Sequence, residues 1–430
     1  MVRRWIVWGL VGGICLVALM GCLRPEGVGN EQGGTGNEQG GPGNEQGVVF
    51  HVSTAAELQA ALDAAAVNGE DDTIYLAAGT YRGNFEYLPE DGRAVTIRGE
   101  EGTTAREVVL DGAGAGSVFT VDGMAGFPTG AALILEGVTL RNGAARSEGL
   151  GGGGLSIVLK DTDLRLVLRG VIIEDNLAEY RGGGISLRAH GDASLSVEIR
   201  DAVIRRNRSP GYEDGRQGRG GGIWVYSTGG NSSIELFMVN SLIYGNEANW
   251  TGGGIELAAS EVGEDNVVRA VFVNTTIADN VSDMNDRGFG PGGGIYVYGY
   301  CGTGAQVTLE LYNCIVWGNV SRGGEDGQDL YLDARDPGNA AVRAYHCDLG
   351  DVYVDDSLGT PVYETLSVID LDPLFADPAA GDFSLQAGSP CVDAGTLAVP
   401  DPPGLPQLDL AGNPRACGHA PDLGAFECCP

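Results

Sequence analysis

The sequence predicts an all-β fold in which the chain winds into a parallel solenoid, and three observations support this prediction. Five segments share a run of glycines followed by a short apolar strand, and after each one comes a β-rich stretch that ends in Asn. The distance from the first apolar residue to that Asn stays between 21 and 25 residues, whereas the distance from each Asn to the next apolar strand varies from 9 to 16. A nearly constant length that contains several period-2 strands is one turn of a solenoid, and the variable part is a loop that leaves and rejoins it.

Apolar and polar residues alternate within the constant part, so side chains point in turn into and out of the coil. Ile185 and Leu187 of one coil, and Ile223 and Val225 of the next, are expected to point inward. We expect the asparagines to stack at one turn, each bonding neighbouring backbone or the next Asn, because Asn tolerates left-handed turn geometry. This predicted ladder consists of Asn142, Asn176, Asn207, Asn246, Asn280 and Asn319. Insertions at one corner of a solenoid fall on one face, which is often the binding face.

Distinct segments occupy the two ends of the predicted solenoid, where bare strand edges would otherwise recruit other chains. Thr54 and Glu57 form a capping box that begins a short amphipathic helix, and we expect this helix to cover the first coil. The solenoid and its N-terminal cap occupy residues 48–365. The proline-rich residues 366–430 are expected to form an irregular C-terminal cap.

Composition narrows the class of protein. The chain carries 26 basic and 58 acidic residues, a formal net charge of −32, and Lys160 is its single lysine. Nucleic-acid binding needs basic patches that neutralise phosphates, so a nucleic-acid partner is not expected. A hydrophobic content of 43% is too high for a disordered chain and leaves enough apolar surface for a core.

Residues 1–22 have the features of an export signal, because two arginines precede an apolar stretch that ends in small residues. The ending Leu19–Cys22 resembles a bacterial lipobox, in which Cys22 is lipidated and becomes the first residue; the alternative is an ordinary cleaved signal. Residues 23–47 repeat Gly, Asn, Glu and Gln and are expected to form a flexible linker. The sequence therefore predicts a lipoprotein of the cell envelope. Leu23, where an inner-membrane retention signal would have aspartate, favours the outer membrane or cell surface.

The glycine–strand–Asn coils resemble those of right-handed parallel β-helix proteins of the pectin-lyase-like superfamily. The opening VSTAAELQAALDAAAVNGEDDTIYLAAGTYRG resembles their entry cap. The segments DPLFADPAAGDFSLQAGSPCVDAG and DLAGNPRACGHAPDLGAFE resemble the C-terminal region of bacterial surface proteins called choice-of-anchor Q proteins. The resemblance covers nearly everything from residue 48 onward. It implies a right-handed parallel β-helix with a short N-terminal capping helix and an irregular C-terminal cap.

The superfamily includes polysaccharide lyases, glycoside hydrolases and epimerases, so the resemblance raises the question of catalysis. The hydrolases carry an Arg-Ile-Lys element, which the surroundings of Lys160 do not match. The epimerases share an Asp-Pro-His motif, whereas Asp372 and Pro373 are followed here by Leu374. No catalytic residue of the family can be carried over. A non-catalytic protein is therefore favoured, with a lyase or hydrolase as the alternative.

Outward positions of the glycine-flanked strands carry aromatic side chains in several successive coils. Aromatic faces beside carboxylates and arginine suit the binding of sugars. The candidate ligand-binding residues are Arg188, Trp224, Tyr226, Glu256, Tyr296, Tyr298 and Tyr331, and the variable loops add Tyr180, Tyr212, Trp250 and Phe289. The predicted function is non-catalytic binding of carbohydrate or an envelope partner along this face. Two alternatives are a polysaccharide-degrading enzyme with Arg188, Glu256 or Asp333 in acid–base roles, and a structural protein whose aromatics only stabilise the sheet.

No cofactor or metal is predicted. Acidic loops such as 283–286 and 351–356 could offer oxygen ligands to calcium, but no spacing matches a known calcium loop. The expected partners are the membrane, through the N-terminal lipid, and a polysaccharide. The protein is expected to be a monomer.

Seven cysteines lie in the last third of the chain, and disulfides are expected in an exported protein. The repeat makes Cys314 and Cys347 equivalent residues of adjacent coils, about 4.8 Å apart, which predicts a bond between them although parallel neighbours are not ideal for one. A second predicted bond joins Cys391 to Cys417 or Cys428. Because seven is odd, at least one thiol stays free or pairs between molecules.

The lipid anchor can be tested by replacing Cys22 with Ala. We expect this change to move the protein from membrane fractions to soluble fractions, because the residue that would carry the lipid is lost. Immunoblots of fractionated cells measure this, with Cys15→Ala as the control that leaves the proposed lipid site intact. Membrane association that survives Cys22→Ala would contradict the anchor.

Overall fold

The computed structural model describes residues 47–146, 151–211, 217–260, 265–286, 288, 290–300, 304–323, 327–335 and 339–429. The predicted signal, Cys22 and all of the predicted linker except residue 47 lie outside the described residues, as do Tyr212 and Phe289. Among the described residues, no helix is long and apolar enough to span a membrane.

Four parallel sheets run along the solenoid, and each coil contributes at most one strand to each sheet. Sheet 1 has eleven strands: Val49–Val52, Asp72–Leu76, Ala94–Gly99, Ala132–Glu136, Asp163–Arg169, Ser194–Arg200, Ser233–Val239, Val267–Val273, Gln306–Tyr312, Ala340–Tyr345 and Val362–Leu366. Sheet 2 has nine strands: Gly79–Arg82, Val108–Asp111, Thr139–Arg141, Ile172–Glu174, Val203–Arg205, Leu242–Tyr244, Thr276–Ala278, Ile315–Trp317 and Asp348–Leu349. Sheet 3 has six strands: Ala144–Ala145, Leu177–Ala178, Arg208–Ser209, Glu247–Ala248, Val281–Ser282 and Val320–Ser321. Sheet 4 has nine strands: Phe85–Glu86, Phe119–Gly123, Leu155–Lys160, Ile185–His190, Ile223–Thr228, Ile255–Ser260, Ile295–Gly299, Leu330–Ala334 and Val352–Asp355.

In a complete coil the chain passes through sheets 1, 2, 3 and 4 in that order and then re-enters sheet 1. The predicted all-β fold, a parallel β-helix, is therefore confirmed, and right-handedness is the sense favoured for crossovers between parallel strands. The predicted inward residues Ile185, Leu187, Ile223 and Val225 are fully buried. They belong to one continuous core that fills the lumen along the described coils. The variable loops lie between sheets 3 and 4.

An asparagine ladder follows one corner of the solenoid, between sheets 2 and 3. The side-chain oxygen of Asn207 accepts hydrogen bonds from the backbone N and the Nδ2 of Asn176, at 3.1 and 3.0 Å. Asn246 accepts the same pair of bonds from Asn207, at 3.0 and 2.9 Å. Asn280 and Asn319 continue the pattern in the next two coils. All five side chains are buried, so their amide groups depend on one another for hydrogen bonds.

The prediction that Asn142 belongs to this ladder is wrong by one residue. Arg141 pairs with Glu174, which makes Gly143 the equivalent of Asn176, and the backbone N of Gly143 donates to Asn176 at 2.9 Å. Asn142 lies one position earlier and has a φ of 56°.

Left-handed geometry consequently does not explain the ladder. The residues with positive φ are those that precede each ladder asparagine, namely Asp175, Arg206, Gly245, Asp279 and Gly318. The ladder asparagines are held by side-chain hydrogen bonds instead. The tolerance of Asn for left-handed geometry accounts only for Asn142.

A carboxylate completes the ladder. Asp329 accepts hydrogen bonds from the backbone N of Asn319 at 2.9 Å and from its Nδ2 at 2.8 Å, while its second oxygen accepts from the backbone N of Asp351 at 2.9 Å. Burial raises the pKa of Asp329 to about 6, although these hydrogen bonds favour the charged form. A carboxylate, which accepts hydrogen bonds without donating any, suits the end of the ladder because no further ladder asparagine follows Asn319 to accept a donated bond.

The glycine runs are explained by how closely the returning loop approaches the ladder. A Cβ atom on Gly221 would lie 2.4 Å from the carbonyl oxygen of Gly253. A Cβ on Gly222 would lie 2.6 Å from the carbonyl oxygen of Gly254 and 3.2 Å from the amide of Asn246. Real side chains do not fit at such distances, so these positions require glycine.

The N-terminal helix Ala55–Ala65 begins at the predicted capping box. Thr54 Oγ1 accepts from the backbone N of Glu57 at 3.2 Å, and the Glu57 carboxylate accepts from the backbone N of Thr54 at 3.1 Å. Leu58, Leu62 and Ala65 are buried against the first coils.

The region after residue 366 is irregular, as predicted, and it packs along the sides of the coils. It contains an antiparallel hairpin, Phe375–Asp377 with Asp382–Leu385, and the short 3-10 helix Pro378–Ala380. Val399 and Leu405 pack on the outer face of sheet 1, and Phe383 and Leu410 pack on that of sheet 2.

Asparagines at a second corner, between sheets 1 and 2, hold this C-terminal region. Asn274 Nδ2 donates to the carbonyl of Asp422 at 3.0 Å, and Asn313 Nδ2 donates to the carbonyl of Thr396 at 2.9 Å. The buried guanidinium of Arg415 donates to the side chain of Asn240 and to Glu427, the latter at 3.0 Å. The C-terminal region therefore bridges several coils.

The predicted disulfide pairings differ from those in the structure. Cys417 is bonded to Cys429, and Cys314, Cys347, Cys391 and Cys428 are thiols. The pairing of Cys391 with Cys417 or Cys428 is thus not the one formed, and the Cys391 thiol instead donates to Asp348 at 3.1 Å.

Cys314 and Cys347 are equivalent residues of adjacent coils, as the repeat predicts, but no bond joins them. Their side chains leave the sheet in the same direction, which is the usual obstacle between parallel neighbours. The Cys347 sulfur accepts a hydrogen bond from the backbone N of Cys314 at 3.4 Å, while the Cys314 thiol faces the carbonyl of Phe272 at 3.5 Å.

Replacing a central member of the ladder should destabilise the protein. Asn246→Ala removes the acceptor for Asn207 and the donor for the carbonyl of Ile204, and both groups are buried. We expect the free energy of unfolding to fall by more than about 2 kcal/mol, since each unsatisfied buried group costs about 1–3 kcal/mol. Denaturant titration followed by circular dichroism measures this.

The matched control is Asn231→Ala, which removes an exposed side chain bonded to Asp192. It should change the free energy of unfolding by less than about 0.5 kcal/mol. Equal effects of the two substitutions would contradict a structural role for the ladder.

Candidate functional site

The outer face of sheet 4 carries the predicted aromatic residues in columns. Trp224 pairs with Glu256, Glu256 with Tyr296, and Tyr296 with Tyr331 in successive coils. A second column contains Arg188, Tyr226, Tyr298 and Asp333. These columns follow the register that the repeat predicts.

A cavity of about 360 Å³ opens on this face, and we call it the arginine–aromatic cavity. Its lining consists of Arg181, Arg219, Trp224, Tyr226, Trp250, Thr251, Ser260, Tyr296, Tyr298, Tyr300 and Arg335. Trp224, Tyr226, Tyr296 and Tyr298 are thus the predicted strand residues that the structure brings together. Of the predicted loop aromatics, Trp250 joins them and Tyr180 does not. Arg188, Glu256 and Tyr331 do not line the cavity.

The aromatic side chains are more buried than a freely exposed binding face would be. Trp224 and Tyr296 are only 4% and 5% exposed, whereas Tyr300 is 46% exposed. The Trp224 ring lies 5.1 Å from that of Tyr226, and the Tyr296 ring lies 5.5 Å from that of Tyr298. Each of these pairs lies within one strand, whereas the Tyr296 ring lies 5.7 Å from that of Tyr331 in the next coil, which is the contact along the sheet that the structural alternative expects. Tyr300 offers the most accessible ring in the cavity.

Glu256 lies beneath the cavity wall and is fully buried. Its carboxylate accepts hydrogen bonds from Arg219 Nη1 at 2.9 Å and from the hydroxyl of Thr251. Arg219 in turn lies over the ring of Trp250, 4.2 Å from its centroid. Burial opposes the charge of Arg219, but the attraction of Glu256 outweighs it and raises the pKa of the arginine. Glu256 therefore holds the wall of the cavity and does not face its interior.

Asp333, like Glu256, is paired with an arginine of the cavity lining. Its Oδ2 accepts from the Tyr296 hydroxyl at 2.9 Å and from Arg335 Nη2 at 2.8 Å, and Arg335 lies 5.6 Å from the Tyr298 ring centroid. Burial raises the pKa of Asp333, although both of these partners favour the carboxylate. Tyr331, one coil further on, donates to Asp355 at 3.2 Å.

Arg181 is the lining arginine for which the described residues provide no ion pair. Its guanidinium lies over the ring of Trp224, 5.0 Å from the centroid. Burial, followed by repulsion from Arg219, lowers the pKa of Arg181. Arginine nevertheless stays protonated in proteins, so the cavity has a cation without a carboxylate in contact.

The prediction from sequence did not include the three cavity arginines. Arg181 and Arg219 stand directly before the glycine runs of two successive coils, and a backbone bridge pairs them across the loops. Arg335 directly follows the strand Leu330–Ala334. The repeated Arg-Gly-Gly-Gly-Ile pattern was the available signal, because the glycine run fixes the position of the residue before it.

No group of three or more His, Cys, Asp or Glu side chains in the described ranges could hold a metal ion. Of the three lining arginines, Arg219 and Arg335 each pair with a carboxylate, and Arg181 has no ion pair among the described residues.

Comparison with protein-family models and with curated proteins finds no match. The crystal structure of Escherichia coli YbhC aligns over 78% of this chain and 88% of its own length, with 12% identity and a TM-score of 0.26. The structure of AlyGC, an alginate lyase of the PL6 family, aligns over 74% of each chain, with 11% identity and a TM-score of 0.16. At these scores neither likeness carries an argument. The assignment of a parallel β-helix therefore rests on the strand pairing in this chain. The candidate site is the arginine–aromatic cavity.

We expect the ion pair of Glu256 with Arg219 to stabilise the fold at the cavity wall. We expect Glu256→Ala to lower the free energy of unfolding by about 3–5 kcal/mol, because it leaves a largely buried guanidinium without its partner. Thermal and denaturant unfolding measure this effect.

Glu247→Ala is the matched control, because it breaks a half-exposed pair with Arg208 in the preceding strand. It should cost less than about 1 kcal/mol. A Glu256→Ala variant as stable as this control would show that the buried pair does not hold the wall.

Proposed function

We propose that this protein is a non-catalytic binding protein of the cell envelope, and that its arginine–aromatic cavity takes a carbohydrate or part of an envelope partner. The observation that carries the proposal is the convergence of aromatic and arginine side chains from successive coils on one cavity of about 360 Å³. Ligand sites of about 300–1,000 Å³, lined by aromatic groups with a few polar ones, are typical of small-molecule recognition.

The state of the two nearest carboxylates supports a non-catalytic role. A general acid or base must reach the proton that it transfers. Glu256 is fully buried beneath the wall, and Asp333 is engaged by Tyr296 and Arg335. Each carboxylate already has a cationic partner, so neither is poised to exchange protons with a ligand.

The proposed location is the outer membrane or cell surface, with the lipid on Cys22 as the anchor and residues 23–47 as the tether. This part of the proposal rests on the sequence. A flexible linker of 25 residues spans roughly 25–30 Å, which would hold the β-helix clear of the membrane.

A glycan array combined with a turnover assay tests the function. We expect binding to at least one glycan, and we expect no new reducing ends or unsaturated products when acidic and neutral polysaccharides are incubated with the protein. Tyr300→Ala should weaken binding by about 2- to 12-fold, the equivalent of about 0.5–1.5 kcal/mol for one stacking contact.

The matched control is Tyr353→Ala, which removes a tyrosine from the same sheet face outside the cavity lining, where its side chain is 37% exposed. It should leave affinity unchanged. Product formation would replace the proposal with the lyase or hydrolase alternative, and absence of both binding and products would leave the structural role.

A further inference from the structure

The buried polar atoms that line the arginine–aromatic cavity and lack a hydrogen-bond partner among the described residues are all donors. Arg181 Nε, Trp224 Nε1 and Arg335 Nε are buried and have no hydrogen-bond partner in the part of the chain that the structure describes. All three residues line the cavity, and all three atoms are N–H donors. Because buried polar groups are normally paired, the wall offers donors for which a ligand would have to supply acceptors.

The charges of the cavity arginines also favour an anionic ligand. Arg219 and Arg335 are each paired with a buried carboxylate, at 2.9 and 2.8 Å, whereas the described residues form no ion pair with Arg181. Arg181 and Arg219 are held side by side, because the backbone N of Gly182 donates to the carbonyl of Arg219 at 2.9 Å and a bridge pairs the two arginines. The two guanidinium groups repel each other, and an anion placed between them would relieve that repulsion.

We propose that the cavity contains an anion subsite centred on Arg181, which takes an oxyanion group of the ligand, a carboxylate or a sulfate ester. This inference rests on the proposed binding function and names the class of ligand. A neutral sugar hydroxyl both donates and accepts, whereas an ionised carboxylate or sulfate only accepts and so matches the three unpartnered donors. The Trp224 ring beneath Arg181 fixes the guanidinium plane, 5.0 Å from the ring centroid.

The geometry also separates this subsite from the rest of the cavity. Tyr300, the most exposed ring, belongs to a coil several strands away from the loop of Arg181. A ligand that spans the cavity would therefore contact Tyr300 with one sugar unit and Arg181 with the charged substituent of another. Specificity for charge and the stacking contribution are thus carried by different residues and can be removed independently.

The test uses two oligosaccharides that differ only in charge: one that contains glucuronic acid, and the same oligosaccharide after its carboxylates are reduced to primary alcohols. Isothermal titration calorimetry with the full chain should show that the acidic form binds about 10- to 100-fold more tightly, as expected for a charge-assisted hydrogen bond. Added salt should reduce this preference. A sulfated form of the same oligosaccharide distinguishes sulfate from carboxylate as the preferred anion.

Three variants assign the preference to Arg181. Arg181→Gln should abolish the preference, so that the acidic and the reduced forms bind with equal affinity. Arg181→Lys should retain part of it, because the charge is kept but the fork geometry is lost. Arg208→Gln, an exposed arginine that pairs with Glu247 outside the cavity, should retain all of it. Circular dichroism checks that each variant is folded.

Equal affinity of the wild-type protein for the acidic and reduced forms would overturn the anion subsite and leave the binding function intact. An Arg181→Gln variant that weakens both forms equally, or keeps the full preference, would also overturn it. Failure of both forms, together with every glycan of the array, to bind would overturn the binding function and the subsite with it.

Discussion

The contact between the asparagine ladder and the glycine runs is the constraint on which the rest of the structure depends. The ladder places a row of buried amides at one corner, and each amide from Asn207 onward accepts two hydrogen bonds from the coil before it. The returning loop must then cross this corner at a distance that excludes a Cβ atom, as at Gly221 and Gly222. The ladder and the glycines therefore form one unit, because the close approach buries the amides and burial makes their mutual bonding necessary. The repeated glycine runs follow from that packing.

The position of the candidate site follows from the same constraint. The loops between sheets 3 and 4 vary in length, but each must enter its glycine run at a fixed point. The residue before the run is therefore placed with the precision of the solenoid although it belongs to a loop. Arg181 and Arg219 occupy that position in adjacent coils, where Arg181 lies over Trp224 of sheet 4 and Arg219 over Trp250 of a variable loop. A rigid scaffold with variable loops at one corner allows such a site to be built without disturbing the core.

Sequence periodicity predicted the part of the structure that repeats. The spacing between strands and asparagines was sufficient for the fold, the inward residues and the register of sheet 4, because each repeats with the coil. It placed Asn142 one residue out of register, since that coil has Gly143 at the ladder position and the asparagine beside it resembles a member. Features formed between coils were not predictable in this way. The burial of Glu256 depends on Arg219 and Thr251 from loops of different length, and the bonding of Cys417 to Cys429 depends on an irregular region without any period.

The C-terminal region has a consequence for how the β-helix resists unfolding. A solenoid in which each coil contacts only its neighbours behaves as a one-dimensional array, and such arrays can lose terminal units while the middle survives. Here Arg415 reaches back to Asn240, while Asp422 and Thr396 are held by Asn274 and Asn313 of later coils. These bonds tie three successive coils to a single segment. If one of these coils unfolds, its bonds to that segment must break. The coils that the segment contacts are therefore expected to unfold together. The C-terminal region thus couples the unfolding of these three coils to its own.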